Sequence, residues 1–371
     1  MSPLDIIHTE SSLGWGGQEI RILTEARGLQ DRGHRVRLLC PREARIHDEA
    51  ARFGVAVEAL SIGRKNLRGA SSMIGWIRAH KAELGGAIFN THSSTDSWMV
   101  ALAMRALGRP CPVVRTRHIS ARVPRNRMTR WLYVRAASRV VTTGEALRLQ
   151  LIDDLGIDPA RIDSIPTGID TARFVPGDRM RARAALGLPA GKSLVGIVAT
   201  LRSWKGHRFL IEACARMPPD TGLIIVGDGP QREALQALIA AHEMNDRVWT
   251  PGNQADVLPW LQALDIFALP SYANEGVPQA LIQAMLAGLP CITTTAGSIG
   301  ELARHEETAL VVPAQDADAL RAAIERLAED PGLRERLGVA ARENCVANHS
   351  LSGMLDRMES VFSVALKNVS K

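Results

Sequence analysis

The sequence has few aromatic residues and lacks the features that mark secreted or membrane-spanning chains. Only 4% of its 371 residues are aromatic although 46% are hydrophobic, so its cores have to be built from Ala, Leu, Ile and Val. No apolar run approaches ~18 residues, and residues 1–10 lead straight into a strand-like segment, so we expect neither a spanning helix nor a signal peptide. The five cysteines form no CxxC pair, which favours buried, reduced thiols in a cytoplasmic protein.

Acidic residues are scarce in the first part of the chain. Residues 1–150 hold 24 Lys and Arg against 12 Asp and Glu, whereas the remainder holds 21 against 27. The net charge of +6 therefore joins a basic first half to an acidic second half, and we expect the halves to have different partners. A nucleic-acid binder would explain the basic pI but not the acidic half, so no nucleic-acid partner is predicted.

Strand-like apolar runs alternate with helical patterns along the chain, which predicts α/β domains with parallel sheets. The length predicts two domains at ~100–200 residues each. The Pro- and Gly-rich stretch 166–192 is the linker candidate, and the predicted domains cover residues 1–170 and 171–350. Because ligands of such sheets bind beside the carboxyl ends of the strands, we expect a cleft ligand.

Three patterns imitate known motifs. Residues 187–193 resemble a P-loop but are one residue short and precede a strand, which favours a turn. Residues 227–232 lack the third glycine of a nicotinamide fingerprint, and no acidic residue ends the next strand. Asp316-Ala-Asp318 matches a metal-binding DxD but stands where a helix begins, so helix capping is expected. No other carboxylate or histidine cluster has metal spacing, and no cofactor or metal is predicted.

Two cations follow the first strand of the second half. Arg202 and Lys205 come directly after the predicted strand 194–199, at an edge where a ligand would bind. Basic side chains there suit a nucleotide diphosphate and its departing negative charge. Two solvated surface cations are the alternative.

A second motif in this half precedes a helix. Glu275 stands beside a helix start at Pro278, where the amides of Gly276 and Val277 are free to meet an anion or a sugar oxygen. Gln283 lies about two turns further on the same face. The alternative for Glu275 is an ordinary acidic residue at a helix N-terminus.

The first half offers a glycine-rich loop and two histidines. Gly16 and Gly17 lie between the first strand and the first helix, where backbone amides can approach an anion or a sugar; a bare tight turn is the alternative. His92 and His118 each follow a predicted strand. A lone histidine at such a place is often structural.

These segments resemble the family 4 retaining glycosyltransferases across nearly the whole chain. The matching segments are Ser164–Asp170 with Phe174, Leu201–Gly206, Ile225–Pro230, Phe267–Gly276, Ala284–Pro290 and Gly297 with Glu301. The resemblance implies a GT-B fold of two Rossmann-like domains facing a cleft, with the helix in 351–371 packing back on the first domain. It also implies metal-independent transfer of a sugar from a nucleotide-sugar donor to a glycan or lipid-linked acceptor, in cell-surface polysaccharide or lipopolysaccharide synthesis.

The resemblance implies roles for the donor-side residues. Arg202 and Lys205 would neutralise the leaving diphosphate. Glu275 would bind the donor sugar, with the Gly276 and Val277 amides beside it.

On the other side, the resemblance implies that Gly16 and Gly17 admit the phosphates and that His92 faces the donor sugar and the acceptor. His118 is the candidate acceptor contact. One position departs from the family, whose second glutamate of Glu-x7-Glu binds the nucleotide ribose and is Gln283 here. The alternatives are therefore a non-catalytic pseudo-glycosyltransferase that binds nucleotide or a partner enzyme, and a sugar-nucleotide epimerase of the same shape.

An arginine-rich segment suggests membrane contact. Residues 113–148 carry nine arginines against the single acid Glu145, with Met128, Trp131 and Leu132 as a short apolar stripe. Such a surface can hold anionic lipid, which would make a cytoplasmic protein peripheral at the inner face of the membrane. A solvated helix face with a core stripe is the alternative.

Overall fold

The computed structural model describes residues 3–367, and these form two compact units. The chain passes from the first unit to the second after Gly168 and returns to the first after Ser350. The last four residues of the predicted C-terminal helix 351–371 lie outside the described residues.

The first unit is a seven-stranded parallel sheet covered by helices. In chain order its elements are β1 (Asp5–Thr9), α1 (Gly17–Asp31), β2 (Arg35–Cys40), α2 (Arg45–Ala50), β3 (Ala56–Ala59), α3 (Leu67–Ala79), β4 (Ala87–Thr91), α4 (Ser94–Ala106), β5 (Val113–Arg117), α5 (Arg127–Trp131), β6 (Arg139–Thr142), α6 (Glu145–Leu155) and β7 (Ile162–Ser164). The strand order is β3-β2-β1-β4-β5-β6-β7. The order reverses between β1 and β4, so the carboxyl ends of these two strands border the point where such sheets bind ligands.

The second unit repeats this plan with six strands. Its elements are α7 (Arg179–Leu186), β8 (Ser193–Val198), α8 (His207–Ala215), β9 (Thr221–Val226), α9 (Arg232–Ala241), β10 (Val248–Gly252), α10 (Leu258–Gln262), β11 (Ile266–Leu269), α11 (Gln279–Leu286), β12 (Cys291–Thr293), β13 (Leu310–Val311), α12 (Ala317–Glu329) and α13 (Pro331–Asn348). The strand order is β10-β9-β8-β11-β12-β13. Here the reversal lies between β8 and β11.

The central strands are buried on both faces, as parallel sheets between helix layers require. All residues of β1, β9 and β11 are buried. All five cysteines are buried and free, as predicted. Within residues 3–367, no helix has the length and apolarity needed to cross a bilayer.

Local signals explain two of the sequence-based expectations. The Asp316 carboxylate accepts a hydrogen bond from the Ala319 amide at 2.9 Å, so the DxD-like pattern caps α12 as predicted. Gly187 has a φ of 65° and ends α7, which places a turn where the P-loop-like pattern stands.

The predicted linker is too long. Residues 166–192 contain α7, which belongs to the second unit. The helix is specified locally, because Asp178 caps the amides of Met180 and Arg181 and the segment RMRARAAL consists of strong helix formers. The flanking Pro and Gly residues obscured it.

Two further expectations need correction in the first unit. The helical pattern of the sequence predicts a helix over residues 127–137, but the chain is α-helical only to Trp131 and continues as a π-helical turn, Leu132–Ala136. Leu132 is buried in the core, so it is not part of an exposed apolar stripe. No element was predicted over residues 145–165, where the structure has α6 and β7.

The last described helix, α14 (Leu351–Lys367), packs on the first unit. Its apolar face joins the core that α1 and the central strands form, through Met354, Leu355, Met358, Val361 and Phe362. Gly28 of α1 makes this approach possible, because a Cβ there would lie 2.5 Å from Leu355. The guanidinium of Arg32 adds an ion pair to Asp356 at 2.7 Å.

Candidate active site

In the second unit, an ion pair joins the segments that follow β8 and β11. These are the two strands between which the strand order reverses, and we call this place the switch point of the sheet. Lys205 follows β8 and Glu275 follows β11, and the Lys205 Nζ lies 2.6 Å from a Glu275 carboxylate oxygen. The Glu275 side chain is 6% exposed and that of Lys205 20%. The structure therefore brings together two residues that are 70 positions apart and that the sequence analysis selected separately.

Two glycines allow the loops around the Lys205–Glu275 pair to approach each other closely. Gly206 has a φ of 76°, and a Cβ there would lie 2.1 Å from the Pro270 carbonyl oxygen. Gly297 has a φ of 59°, and its Cβ would lie 2.0 Å from the Glu275 carbonyl oxygen. The Ser298 amide donates to that same oxygen at 3.3 Å. A side chain at either glycine would push apart the segments that hold Lys205 and Glu275.

The other predicted donor-side residues lie close to Lys205 or Glu275 in the sequence. Arg202 is exposed, with its guanidinium 5.6 Å from the centre of the Trp204 ring. Gly276 and Val277 are buried just ahead of α11. Gln283 is buried within α11.

In the first unit, the glycine-rich loop is anchored by a buried acid. Glu10 follows β1, and its carboxylate accepts hydrogen bonds from the Ser12 amide at 2.6 Å and from the Gln18 and Ser93 side chains. Burial and the charge of Asp96 raise the pKa of Glu10 to about 8. Gly16 is the N-cap residue of α1, and Gly17 is exposed at its first turn. Glu10 therefore fixes both ends of the loop that leads into α1.

Both predicted histidines lie at the carboxyl edge of this sheet, in contact with a third. His92 follows β4, and its Nδ1 lies 2.9 Å from the Nε2 of His118, which follows β5. The other ring nitrogen of His92 lies 2.8 Å from the Nδ1 of His8 in β1. Burial lowers the pKa of His8 to about 3 and holds the pKa values of the other two well below their ordinary range. All three imidazoles are therefore neutral near pH 7.

Family models match nearly the whole length of the chain. The model for "Glycosyltransferase Family 4" matches residues 15–173, and the model for "Glycosyl transferases group 1" matches residues 178–344. The chain belongs to glycosyltransferase family 4.

Named relatives of this family 4 chain include sugar transferases of bacteria. It is 30% identical to a D-inositol 3-phosphate glycosyltransferase of Arthrobacter sp. over 268 residues, which are 66% of this chain and 63% of the relative. It is 28% identical to the UDP-Gal:alpha-D-GlcNAc-diphosphoundecaprenol alpha-1,3-galactosyltransferase of Escherichia coli, over 74% of each chain. The alignment thus spans less than two thirds of the inositol phosphate enzyme.

Solved structures share the fold. A glycosyltransferase from Rickettsia africae superposes with a TM-score of 0.87 at 20% identity, over 99% of this chain and 100% of the other. Anabaena HepE in complex with UDP and glucose gives 0.86 at 21% identity, over 97% and 99%. The fold class is therefore GT-B, as the resemblance implied.

Several buried polar residues around the two sites were not found by sequence reasoning. In the second unit the ring of His207 and the hydroxyls of Ser271 and Ser298 are buried, and neither hydroxyl bonds another group of residues 3–367. Burial and the charge of Lys205 lower the pKa of His207 to about 3. His207 and Ser298 border matching segments and Ser271 lies inside one, and this position was the only signal available.

Proposed function

We propose that this chain transfers a sugar from a nucleotide-sugar donor to a glycan or lipid-linked acceptor, with retention of anomeric configuration, in the synthesis of a cell-surface polysaccharide or lipopolysaccharide. The observation that carries the proposal is the Lys205–Glu275 pair at the switch point of the second unit, with Arg202 exposed nearby in sequence. The names of the two relatives support this class of reaction, since one is called a glycosyltransferase and the other a galactosyltransferase.

The second unit is proposed to hold the donor. Lys205 and Arg202 would lie against the diphosphate and stabilise the negative charge that develops as it departs. Glu275, buried and fixed by Lys205, would accept hydrogen bonds from hydroxyls of the sugar. The amides of Gly276 and Val277 precede α11, where the helix dipole favours a phosphate or a polarised oxygen. Since these cations supply the positive charge, the proposed reaction needs no metal or cofactor.

The first unit is proposed to hold the acceptor, with His118 as a contact and the loop at Gly16 and Gly17 meeting the phosphates. The E. coli relative is named for a diphosphoundecaprenol-linked acceptor, which makes lipid-linked glycans the first acceptors to test.

A peripheral place at the membrane is part of the proposal. Trp98 of α4 stacks on Trp131 of α5, with ring centres 5.9 Å apart, and Arg105 lies over Trp131. Leu102 and Met128 are 42% and 67% exposed on the same two helices. Exposed apolar side chains among cations suit an anionic lipid surface.

Some of the nine arginines of residues 113–148 are buried or paired and are therefore not available to bind lipid. Arg115 is buried, and Arg139 and Arg148 pair with Asp163 and Glu145. Vesicle flotation tests the remaining face. We expect binding to vesicles with phosphatidylglycerol at low salt, release at high salt, and weaker binding by Met128→Ser. Equal binding to neutral vesicles would contradict a charge-dependent surface.

The function itself is tested in two steps. Thermal unfolding is measured with UDP-, GDP-, ADP- and CMP-sugars, because a ligand that binds only the folded state raises the melting temperature. The donor selected in this way is then incubated with polyprenyl-diphosphate-linked sugars, and the product linkage is read by NMR. Retained configuration in a new glycoside supports the proposal, whereas donor binding without transfer to any acceptor contradicts it.

That second outcome would favour a pseudo-glycosyltransferase that binds nucleotide or a partner enzyme. The observation behind this alternative is Gln283, which stands where the family has a glutamate. With Lys205 paired to Glu275 and Arg202 present, we favour the active enzyme.

A further inference from the structure

A groove runs along β7, the edge strand of the first unit's sheet. It has a volume of about 400 Å³ and is lined by residues of α6, of β7 and of α14. Since β7 is three strands away from β4 in the strand order, the groove is separate from the switch point between β1 and β4. Its lining includes Arg139, Arg148, Arg357, Ser360, Val361 and Val364.

Two guanidinium groups cover the backbone of β7 in this groove. The Ile162 carbonyl accepts a hydrogen bond from the Nε of Arg148 in α6 at 2.9 Å, and the Ser164 carbonyl accepts one from Arg357 in α14. Ile162 and Ser164 alternate along the strand, so these are the carbonyls that face away from β6. Because both are covered by side chains, the edge is closed to an added strand, and the groove suits a small ligand instead of a peptide.

The three arginines of the groove differ in their partners. Arg139 pairs with Asp163, and Arg148 pairs with Glu145 at 2.6 Å. Arg357 is exposed, and it forms its hydrogen bond to a carbonyl and pairs with no carboxylate of residues 3–367. The groove therefore holds one positive charge in excess.

A second cation lies behind Arg357. Arg21 is buried and donates to the Ile165 carbonyl at 2.8 Å, next to the Ser164 carbonyl that Arg357 covers. Burial lowers the pKa of Arg21, and the positive charge of Arg357 lowers it further, whereas Glu25, at 3.7 Å, acts in the opposite direction. An anion in the groove would therefore be attracted most strongly to the end at Ser164.

One face of α14 offers polar and apolar contacts together. Arg357, Ser360, Val361 and Val364 are three or four residues apart, which places them on the same side of the helix. Ser360 is exposed one turn after Arg357, where its hydroxyl can donate a hydrogen bond to an anion. Val364 is 36% exposed, so part of its apolar surface is free for a ligand.

We propose that this groove binds a phosphate group, held by Arg357 and Ser360, with the groups attached to the phosphate lying against Val361 and Val364. A guanidinium group matches two phosphate oxygens at once, and the phosphate would balance the excess positive charge. The phosphate can belong to a free phosphate ester or to the headgroup of a phospholipid. The site does not depend on sugar transfer.

The site is tested by NMR on the full chain, because local signals distinguish it from any phosphate bound in the second unit. The backbone amide signals of Ser164, Ile165 and Ser360 are followed as glycerol phosphate is added. We expect saturable shifts with a Kd on the order of 1 mM. Binding should be at least tenfold weaker in Arg357→Gln, as for a lost charge-assisted hydrogen bond, and Arg357→Lys should retain most of the affinity.

The matched control is Arg78→Gln. Arg78 is an exposed arginine of α3 and does not line the groove, so this variant should bind like the wild type. Melting temperatures verify that each variant is folded. Absence of shifts at the three amides, or unchanged affinity in folded Arg357→Gln, would overturn the proposal and leave the proposed sugar transfer untouched.

Dihexanoyl-phosphatidic acid, which adds two short acyl chains to the same headgroup, separates the two sources of phosphate. If the groove holds a lipid headgroup, this probe should bind about tenfold tighter than glycerol phosphate, as expected for about two methylene groups buried against Val364. Val364→Ser should then remove the gain. Equal affinity for the two probes would assign the groove to a free phosphate ester, and shifts with neither would refute both sources.

Discussion

Replacing Lys205 by methionine tests two roles of its ammonium group, which are to stabilise the departing diphosphate and to pair with Glu275. Methionine keeps the aliphatic stem and removes the charge, which lies 2.6 Å from the Glu275 carboxylate. If Lys205 stabilises the charge on the departing diphosphate, losing it should lower kcat on the order of 10²–10³, or ~2.7–4 kcal/mol of transition-state stabilisation. A fall of that size is far more than a surface cation would cause.

The same change should also affect stability, because it leaves a buried carboxylate without its ion-pair partner. Breaking a fully buried pair costs ~3–5 kcal/mol. The Lys205 side chain is 20% exposed, so water screens the pair and we expect about 1–2 kcal/mol. Adding Glu275→Gln to Lys205→Met removes the unpaired charge. The double variant should regain most of the stability and remain slow, since neither partner can then act on the donor.

The matched control is Lys192→Met. Lys192 precedes β8 whereas Lys205 follows it, so the two lysines lie at opposite edges of the same sheet, and the Lys192 ammonium donates to the Pro219 carbonyl at 3.0 Å. Urea unfolding gives the stability of each variant, and initial rates of transfer give kcat. If folded Lys205→Met turns over within threefold of the wild type, Lys205 is a structural partner of Glu275 and the donor-site assignment fails.

Two further predictions concern single residues. Gln283→Ala should weaken nucleotide binding by about 1–1.5 kcal/mol, roughly tenfold, as for one lost hydrogen bond, whereas Gln283→Glu should remain active; calorimetry that finds the alanine variant as tight as the wild type would limit the analogy to Glu275. Glu10 has its pKa raised from 4.5 to about 8, so the stability linked to its proton is complete below pH 4.5 and is lost as the pH rises through 8. Relative to Glu10→Gln, the wild type should therefore lose up to ~1.4 kcal/mol per pH unit between pH 5 and 8 in urea unfolding, and a constant difference across that range would refute the assignment.

The donor-side residues could be predicted because they lie in loops directly after strands. Arg202, Lys205 and Glu275 each follow an apolar run, and parallel strands bring their carboxyl ends to one edge. Alternation alone does not give the order of strands in a sheet, so the contact between Lys205 and Glu275 became certain only with β8 beside β11.

The contacts among His8, His92 and His118 could not be predicted either. The order of the strands was again unknown, and there was a second reason. His8 lies inside the fully buried strand DIIHT, where a single histidine is indistinguishable from a core residue. Its partner His92 is 84 residues away, and only the pairing of β1 with β4 brings them together. Among the missed elements within residues 145–165, the strand has a different explanation. Strand β7 has only three residues, which give almost no periodicity to detect.

The second half of the chain is acidic overall, yet it is the half proposed to bind an anion. The charges at its switch point explain how this is possible. At physiological ionic strength, charges more than ~8 Å apart are largely screened. A diphosphate in the second unit would therefore respond to Arg202 and Lys205 in contact with it and hardly at all to acids elsewhere on the surface. In the first unit the switch point holds neutral imidazoles and a carboxyl with a raised pKa, and the guanidinium groups of Arg21 and Arg115 near them are buried. We therefore propose that the anionic donor binds the second unit, where Arg202 and Lys205 are not fully buried, and that a hydroxyl-bearing acceptor binds the first.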